Sequence, residues 1–255
     1  MKIELQIPNT WNELSDSQLK QVARLYFSQS NPILFDIAMF KILVKCKWYK
    51  LRLRRQVLKL LNIVSLSELK THYRDFYKSQ NLTRFIKQVH IQRKSFVSPS
   101  DRLGNITIGE FSVLEDLYLG YLNNKDNEKE DYGYEYLLYM FAVLYVPKAI
   151  ERPTFKKELL SQKAEQFRKV KKEEILSCLL SYMGCRDYIA SIPKYAAIFP
   201  KGENKSKKIP TSSGIAELII DVSGSTFGDY HKTFKTNLYT FLDDYAKKLK
   251  ESKNG

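Results

Sequence analysis

Cysteine and histidine are scarce, at three each in 255 residues. Cys46, Cys178 and Cys185 are odd in number, and the gap between the last two matches no common zinc or redox spacing. Neither a disulfide framework nor a metal cluster is expected, and a reducing, cytoplasmic setting follows. His72, His90 and His231 form no His-Glu-x-x-His or related ligand pattern, which argues against a metal enzyme. No stretch approaches the roughly 18 consecutive apolar residues of a membrane span. Met1-Lys2-Ile3-Glu4-Leu5 also lacks the apolar core of a secretion signal, so the expectation is a soluble chain that is not exported and meets no membrane. A Gly-x-Ser-x-Gly elbow is missing, and Gly224-Ser225-Thr226-Phe227-Gly228 is too short for a phosphate loop and has no lysine to reach a phosphate. No catalytic residue, cofactor or metal ligand is assigned, and a non-enzyme is expected.

What is present describes an ordinary folded protein. Hydrophobic residues make up 44% and charged residues 27%, far from the composition of disorder, and the length suits one large or two modest domains. Three capping boxes mark helix starts. Ser15 and Gln18 form the first, with Leu14 and Leu19 as its hydrophobic staple; Ser65 and Glu68 form the second; Thr107 and Glu110 form the third, with Ile106 and Phe111 as staple. Asn31-Pro32 opens another helix, the asparagine capping and the proline taking the first helical position.

Periodicity fills in the rest. Apolar residues at helical spacing run from the Ser15 box to near 28–30, from Pro32 through Lys41-Ile42, over roughly 48–61, and from the Ser65 box to about Lys78, giving a helical module over 1–80. Between about 86 and 106 Val89, Ile91, Phe96 and Val97 mix with polar residues and then with Pro99, Gly104 and Asn105, which predicts a short β hairpin or extended segment. A helical core over 107–199 follows, including an almost wholly apolar helix from Tyr134 to Val146 that Pro147 terminates. Residues 154–172 are charged with a thin apolar stripe and read as helix or mobile arm. Residues 201–214 have linker composition, and 215–255 are expected to form a separate C-terminal helical unit. The fold class is therefore mainly α, a multi-helix bundle with a short β element, with 1–200 as the main domain.

The net charge of +14 is unevenly placed. Residues 41–60 carry Lys41, Lys45, Lys47, Lys50, Arg52, Arg54, Arg55 and Lys59 and no acid, whereas 110–135 carry eight acids against Lys125 and Lys129. Lys45, Lys47, Lys50, Arg52, Arg54 and Arg55, interleaved with Trp48 and Tyr49, form a candidate patch for an anion or a partner. Three accounts stay open: a solvated face, phosphate contacts to nucleic acid with counterion release, or an acidic protein surface, including the acidic stretch of a second copy. Asp221-Val222-Ser223-Gly224-Ser225 also carries the Asp-x-Ser-x-Ser string that begins a von Willebrand A-type metal site. That fold needs far more chain than follows, so a helix break is expected there.

Several segments taken together resemble a known group. The opening Ile7-Pro8-Asn9-Thr10-Trp11-Asn12-Glu13-Leu14-Ser15, the run Ile106-Thr107-Ile108-Gly109-Glu110-Phe111 with Leu114-Glu115-Asp116-Leu117, Phe141 to Lys148, and the closing Phe227-Gly228-Asp229-Tyr230 with Asn237-Leu238-Tyr239 are similar to proteins from tail gene clusters of bacteriophages and prophages. The matching residues are structural. The resemblance implies a largely helical morphogenesis protein in the manner of tail assembly chaperones, which keep the hydrophobic tape-measure protein soluble while tail-tube subunits polymerise around it. A minor tail or connector protein stays open beside it, because this chain is longer and more basic than most such chaperones. On that footing the partners are tape-measure or tail-tube proteins, self-association is open, and the location is the bacterial host cytoplasm or the virion. The alternative is a basic nucleic-acid-binding accessory protein.

Overall fold

The computed structural model describes residues 7–28, 31–44, 51–71, 73–78, 81–125, 130–149, 152–199, 209–224 and 226–254, with backbone alone at 51–54, 78, 130–132 and 253–254. Among these residues the chain is mainly α with a short β element, as expected: twelve α-helices and one antiparallel sheet, to whose hairpin at 88–97 a third strand is added from outside the 86–106 segment. Contacts divide the chain into two units, Met1–Leu82 with Lys171–Gly184, and Thr83–Val170 with Cys185–Gly255.

In the first unit α1 (Asp16–Tyr26) starts on the expected box: the Gln18 amide donates to Ser15 Oγ, and the Ser15 amide donates to Gln18 Oε1 at 3.0 Å. Leu14 and Leu19 are both buried beside it. α2 (Pro32–Leu43) begins with Asn31 Oδ1 accepting from the Ile33 amide at 2.9 Å. Its end is closed from outside. Gln18 Nε2 donates to the carbonyls of Ile42 and Leu43 at 3.1 and 3.0 Å, so one side chain caps the start of α1 and the end of α2.

α3 (Leu51–Ile63) precedes α4 (Leu66–Thr71), where Ser65 Oγ accepts from the Glu68 amide at 3.3 Å. The continuous helix expected through Lys78 is interrupted, and a separate turn, α5 (Asp75–Lys78), follows. Thr71 donates its hydroxyl to the Glu68 carbonyl at 2.6 Å, an acceptor that a continuing helix would use. The interruption lets Phe76 lie 5.2 Å from Trp11 and Tyr73 6.1 Å from Phe40, ring centre to ring centre. The buried carboxylate of Asp36 is held by Tyr77 Oη at 2.8 Å and Lys70 Nζ at 2.5 Å, which offsets its loss of water.

The second unit opens on the hairpin of β1 (Gln88–Ile91) and β2 (Lys94–Val97), in register Val89 to Phe96. α6 (Ile108–Asn124) starts on the Thr107 and Glu110 box and is buried on nearly every side of its first two turns. α7 (Glu130–Leu144) stops two residues before the expected end, because β3 (Val146–Pro147) pairs with β2. The segment expected as helix or arm contains α8 (Leu160–Phe167), which buries Leu160, Ala164 and Phe167. Phe167 meets Phe96 at 4.9 Å and Phe141 at 5.0 Å edge to face, while Phe141 stacks on Tyr145 at 4.2 Å.

α9 (Lys172–Ser191) carries the division between the units, which falls after Gly184. Then come α10 (Ile215–Val222), α11 (Tyr230–Phe234) and α12 (Leu238–Asn254). Where the sequence sets 215–255 apart, the contacts group it with 83–170. The Ile108 amide donates to Thr236 O at 2.9 Å and the Leu238 amide to Ile106 O at 3.0 Å, tying the start of α12 to the start of α6. Of the expected linker, 201–208 lie outside the described residues.

Candidate partner-binding groove

α6 is the wall on which this groove is built. Its capping box fixes the helix start, and one face then carries Ile108, Phe111, Glu115 and Leu119, all largely buried. Opposite stand Arg186, Asp187 and Ala190 from the last turns of α9, then Ile198 and Phe199, then Ile215 and Leu218 of α10, with Leu242 of α12 below. All of these belong to the second unit. They enclose a cavity of about 750 Å³ with a mainly apolar lining, within the range of small-ligand pockets.

Three polar connections join the walls. Arg186 Nε donates to both carboxylate oxygens of Glu115, at 2.8 and 2.9 Å, and its guanidinium lies 5.4 Å from the centre of the Tyr118 ring. Glu115 is buried, so the pairing satisfies a charge that would otherwise be costly there. Asp116 Oδ1 accepts from the Ser213 amide at 2.9 Å and from Ser213 Oγ at 2.8 Å, and Asn123 Nδ2 donates to the Pro210 carbonyl at 3.1 Å. These bonds dock the approach to α10 on α6. α10 is amphipathic: Ile219 and Val222 are buried, Ile215 and Leu218 are half-buried beside the groove, and Ile220 is 60% exposed. At the mouth, burial raises the Asp187 carboxyl above its ordinary value, with Arg186 opposing.

The residues singled out by sequence are not gathered here. Lys45, Lys47 and Lys50 lie outside the described residues, and of Arg52 and Arg54 only the backbone, helical in α3, is described; Arg55 is exposed on the same helix. Ser15, Gln18, Ser65, Glu68, Thr107 and Glu110 make the cap hydrogen bonds described, and Glu110 has a further partner. Arg152 Nε and Nη2 donate to Glu110 Oε1 at 3.0 and 2.9 Å, while Arg152 also donates to the carbonyls of Val143 and Leu144.

The chemistry-bearing side chains elsewhere are turned to structure. Cys178 and Cys185 are buried, and Cys185 donates to the Thr83 carbonyl at 3.5 Å while burial pushes its thiol up to about 12. His90 shares a hydrogen bond with Ser95 Oγ at 3.0 Å, and His72 lies outside the described residues. In the Asp-x-Ser-x-Ser string Ser223 donates its hydroxyl back to Ile219 O at 2.6 Å at the end of α10, and Ser225 lies outside the described residues. Among the described residues no three His, Cys, Asp or Glu side chains gather as a metal would require, and no helix is long and apolar enough to cross a membrane. No family model, no curated protein and no solved structure matches the chain.

Sequence reasoning missed the groove because its walls come from residues about 100 positions apart. One signal was readable: Ile215, Leu218, Ile219 and Val222 recur at helical spacing behind a glycine-bearing turn, which marks a helix with one apolar face to cover.

Proposed function

We propose that this chain is a non-enzymatic tail morphogenesis protein of a bacteriophage or prophage, which binds an amphipathic helical segment of another tail component of the tape-measure or tail-tube type. The observation that carries the reading is the mainly apolar groove of about 750 Å³ between α6, α9 and α10. The resemblance of the quoted segments to tail-cluster proteins supplies the class of partner. An amphipathic helix laid in such a groove buries its apolar stripe, with anchors three and four residues apart, and leaves its polar face in water. Apolar contact supplies affinity, while Arg186 and Asp187 at the rim set orientation.

Such a protein acts by mass action. It shields apolar helical segments of its partner until assembly takes them up, so binding is reversible and needs no bond-making step. Co-expression with a tape-measure protein from the same gene cluster is the test. A stable complex and a larger soluble fraction of the tape-measure protein are expected; no complex and no gain in solubility overturn the proposal. A second reading rests on the basic block at 41–60, where nucleic acid would be held with an affinity that falls steeply with salt and varies little with base sequence. Charge reversal at Arg52, Arg54 and Arg55 abolishes binding on that reading.

A further inference from the structure

A second cavity in the same unit, about 490 Å³, lies between β2, the end of β3 and α8. Its floor is apolar: Phe96, Tyr145 and Phe167 are buried beneath it, with Pro147 and Leu159 at its sides. Its polar lining is of one sign. Lys94, Lys148 and Lys163 line it together with Ser95, Gln162 and Gln166, and no Asp or Glu does.

Three lysines and no acid along one cavity give it a positive potential that favours an anion. None of the three ammonium groups makes an ion pair among the described residues. Lys163 is the telling one, because it is half-buried on α8 rather than extended into solvent. Burial lowers its pKa; the Glu110 carboxylate opposes that shift and the Arg152 guanidinium adds to it, Glu110 being already committed to Arg152. A partly dehydrated ammonium with no partner of its own gains more from an incoming anion than one on an open surface does.

We propose that this cavity binds a small phosphate-bearing organic molecule, its phosphate held by Lys94, Lys148 and Lys163 and its apolar body resting on Pro147, Leu159 and the edge of Phe96. Lysine suits this role because a compact ammonium on a flexible stem meets a phosphate oxygen from several directions. The side-chain amides of Gln162 and Gln166 can add neutral donors to the phosphate's oxygens. The apolar floor separates this cavity from a patch that attracts any anion, since inorganic phosphate gains nothing from it. Occupancy would also fasten α8 to the hairpin.

The test is calorimetric titration of the full chain at low and moderate salt with phenyl phosphate and with inorganic phosphate. Phenyl phosphate is expected to bind at least tenfold more tightly than inorganic phosphate. Lys163→Gln is expected to weaken it at least tenfold, Lys163→Arg to retain most of it, and Lys247→Gln, on the exposed face of α12, to leave it unchanged. Circular dichroism melts of each variant verify folding, and Lys94→Gln, at an exposed position, gives a second weakened variant if Lys163→Gln perturbs the helix. Absence of binding, equal affinity for the two probes, or affinity unmoved by Lys163→Gln and Lys94→Gln overturns the proposal.

Discussion

Arg152 closes on Glu110 with two hydrogen bonds to a single carboxylate oxygen, at 3.0 and 2.9 Å, while the other oxygen accepts from the Thr107 amide at 2.8 Å. The pair thus joins the start of α6 to the end of α7, whose last carbonyls the same guanidinium caps. Both side chains are largely buried. Glu110→Gln leaves that guanidinium without its counter-charge and is expected to lower stability by about 3–5 kcal/mol in denaturant unfolding. Replacing both residues, Glu110→Gln with Arg152→Met, is expected to cost less than the two single changes added together, which a double-mutant cycle measures.

Gln18 serves two helices at once. Gln18→Glu keeps the acceptor for Ser15 but removes both donors to Ile42 and Leu43 and sets a negative charge at the negative end of α2. A loss of about 1–3 kcal/mol is expected from chemical denaturation. Ser15→Ala, which removes the acceptor for the Gln18 amide and leaves the α2 bonds in place, should cost about 1 kcal/mol.

A methyl group added at Gly184 would stand 2.1 Å from the Leu82 carbonyl oxygen, and backbone cannot swing aside as a side chain can. Gly184→Ala is expected to destabilise the protein by about 1–3 kcal/mol, toward the upper end. Gly224 is the comparison: it has φ of +82° and open space around it, so Gly224→Ala costs only the left-handed backbone, about 1–2 kcal/mol. Thermal melts of the two variants separate crowding from backbone strain.

Asp229 caps α11 by accepting from the Lys232 amide at 2.9 Å, and that bond, with the Lys232 and His231 charges, holds its carboxyl below the ordinary 3.8. A depressed folded pKa means that the unfolded chain takes up the proton first as pH falls. The stabilisation is therefore complete above the ordinary value and is lost as pH drops through it toward the folded one. Asp229→Asn keeps a capping oxygen without the titration, so its stability should fall less than that of the unaltered protein between pH 5 and pH 2.

Local signals in the chain were legible because their physics is local. The boxes at Ser15, Ser65 and Thr107 and the Asn31-Pro32 start can be read within four residues, and each makes its cap hydrogen bond in the structure. The hairpin was readable from Val89 and Phe96 amid polar neighbours, which now face each other in register. What depends on distant pairs was not. The grouping of 215–255 with 83–170 rests on bonds such as Leu238 to Ile106, and the second role of Glu110 rests on Arg152, 42 positions away. Both cavities are of this kind: Lys94, Lys148 and Lys163 are unremarkable in a chain with 31 lysines until the fold sets them around one space.

The most direct measurement for the proposed partner-groove account is the affinity of this chain for a tape-measure-type protein, with and without Leu218→Asp. Leu218 is half-buried on α10 and faces the groove, so the change puts a charge where an apolar stripe would rest while α10 keeps Ile219 and Val222 buried. The account predicts a complex with the unaltered protein and at least a tenfold loss with the variant, about 1.4 kcal/mol or more. An unaltered complex with a folded Leu218→Asp variant, or no complex with the unaltered protein, would contradict it.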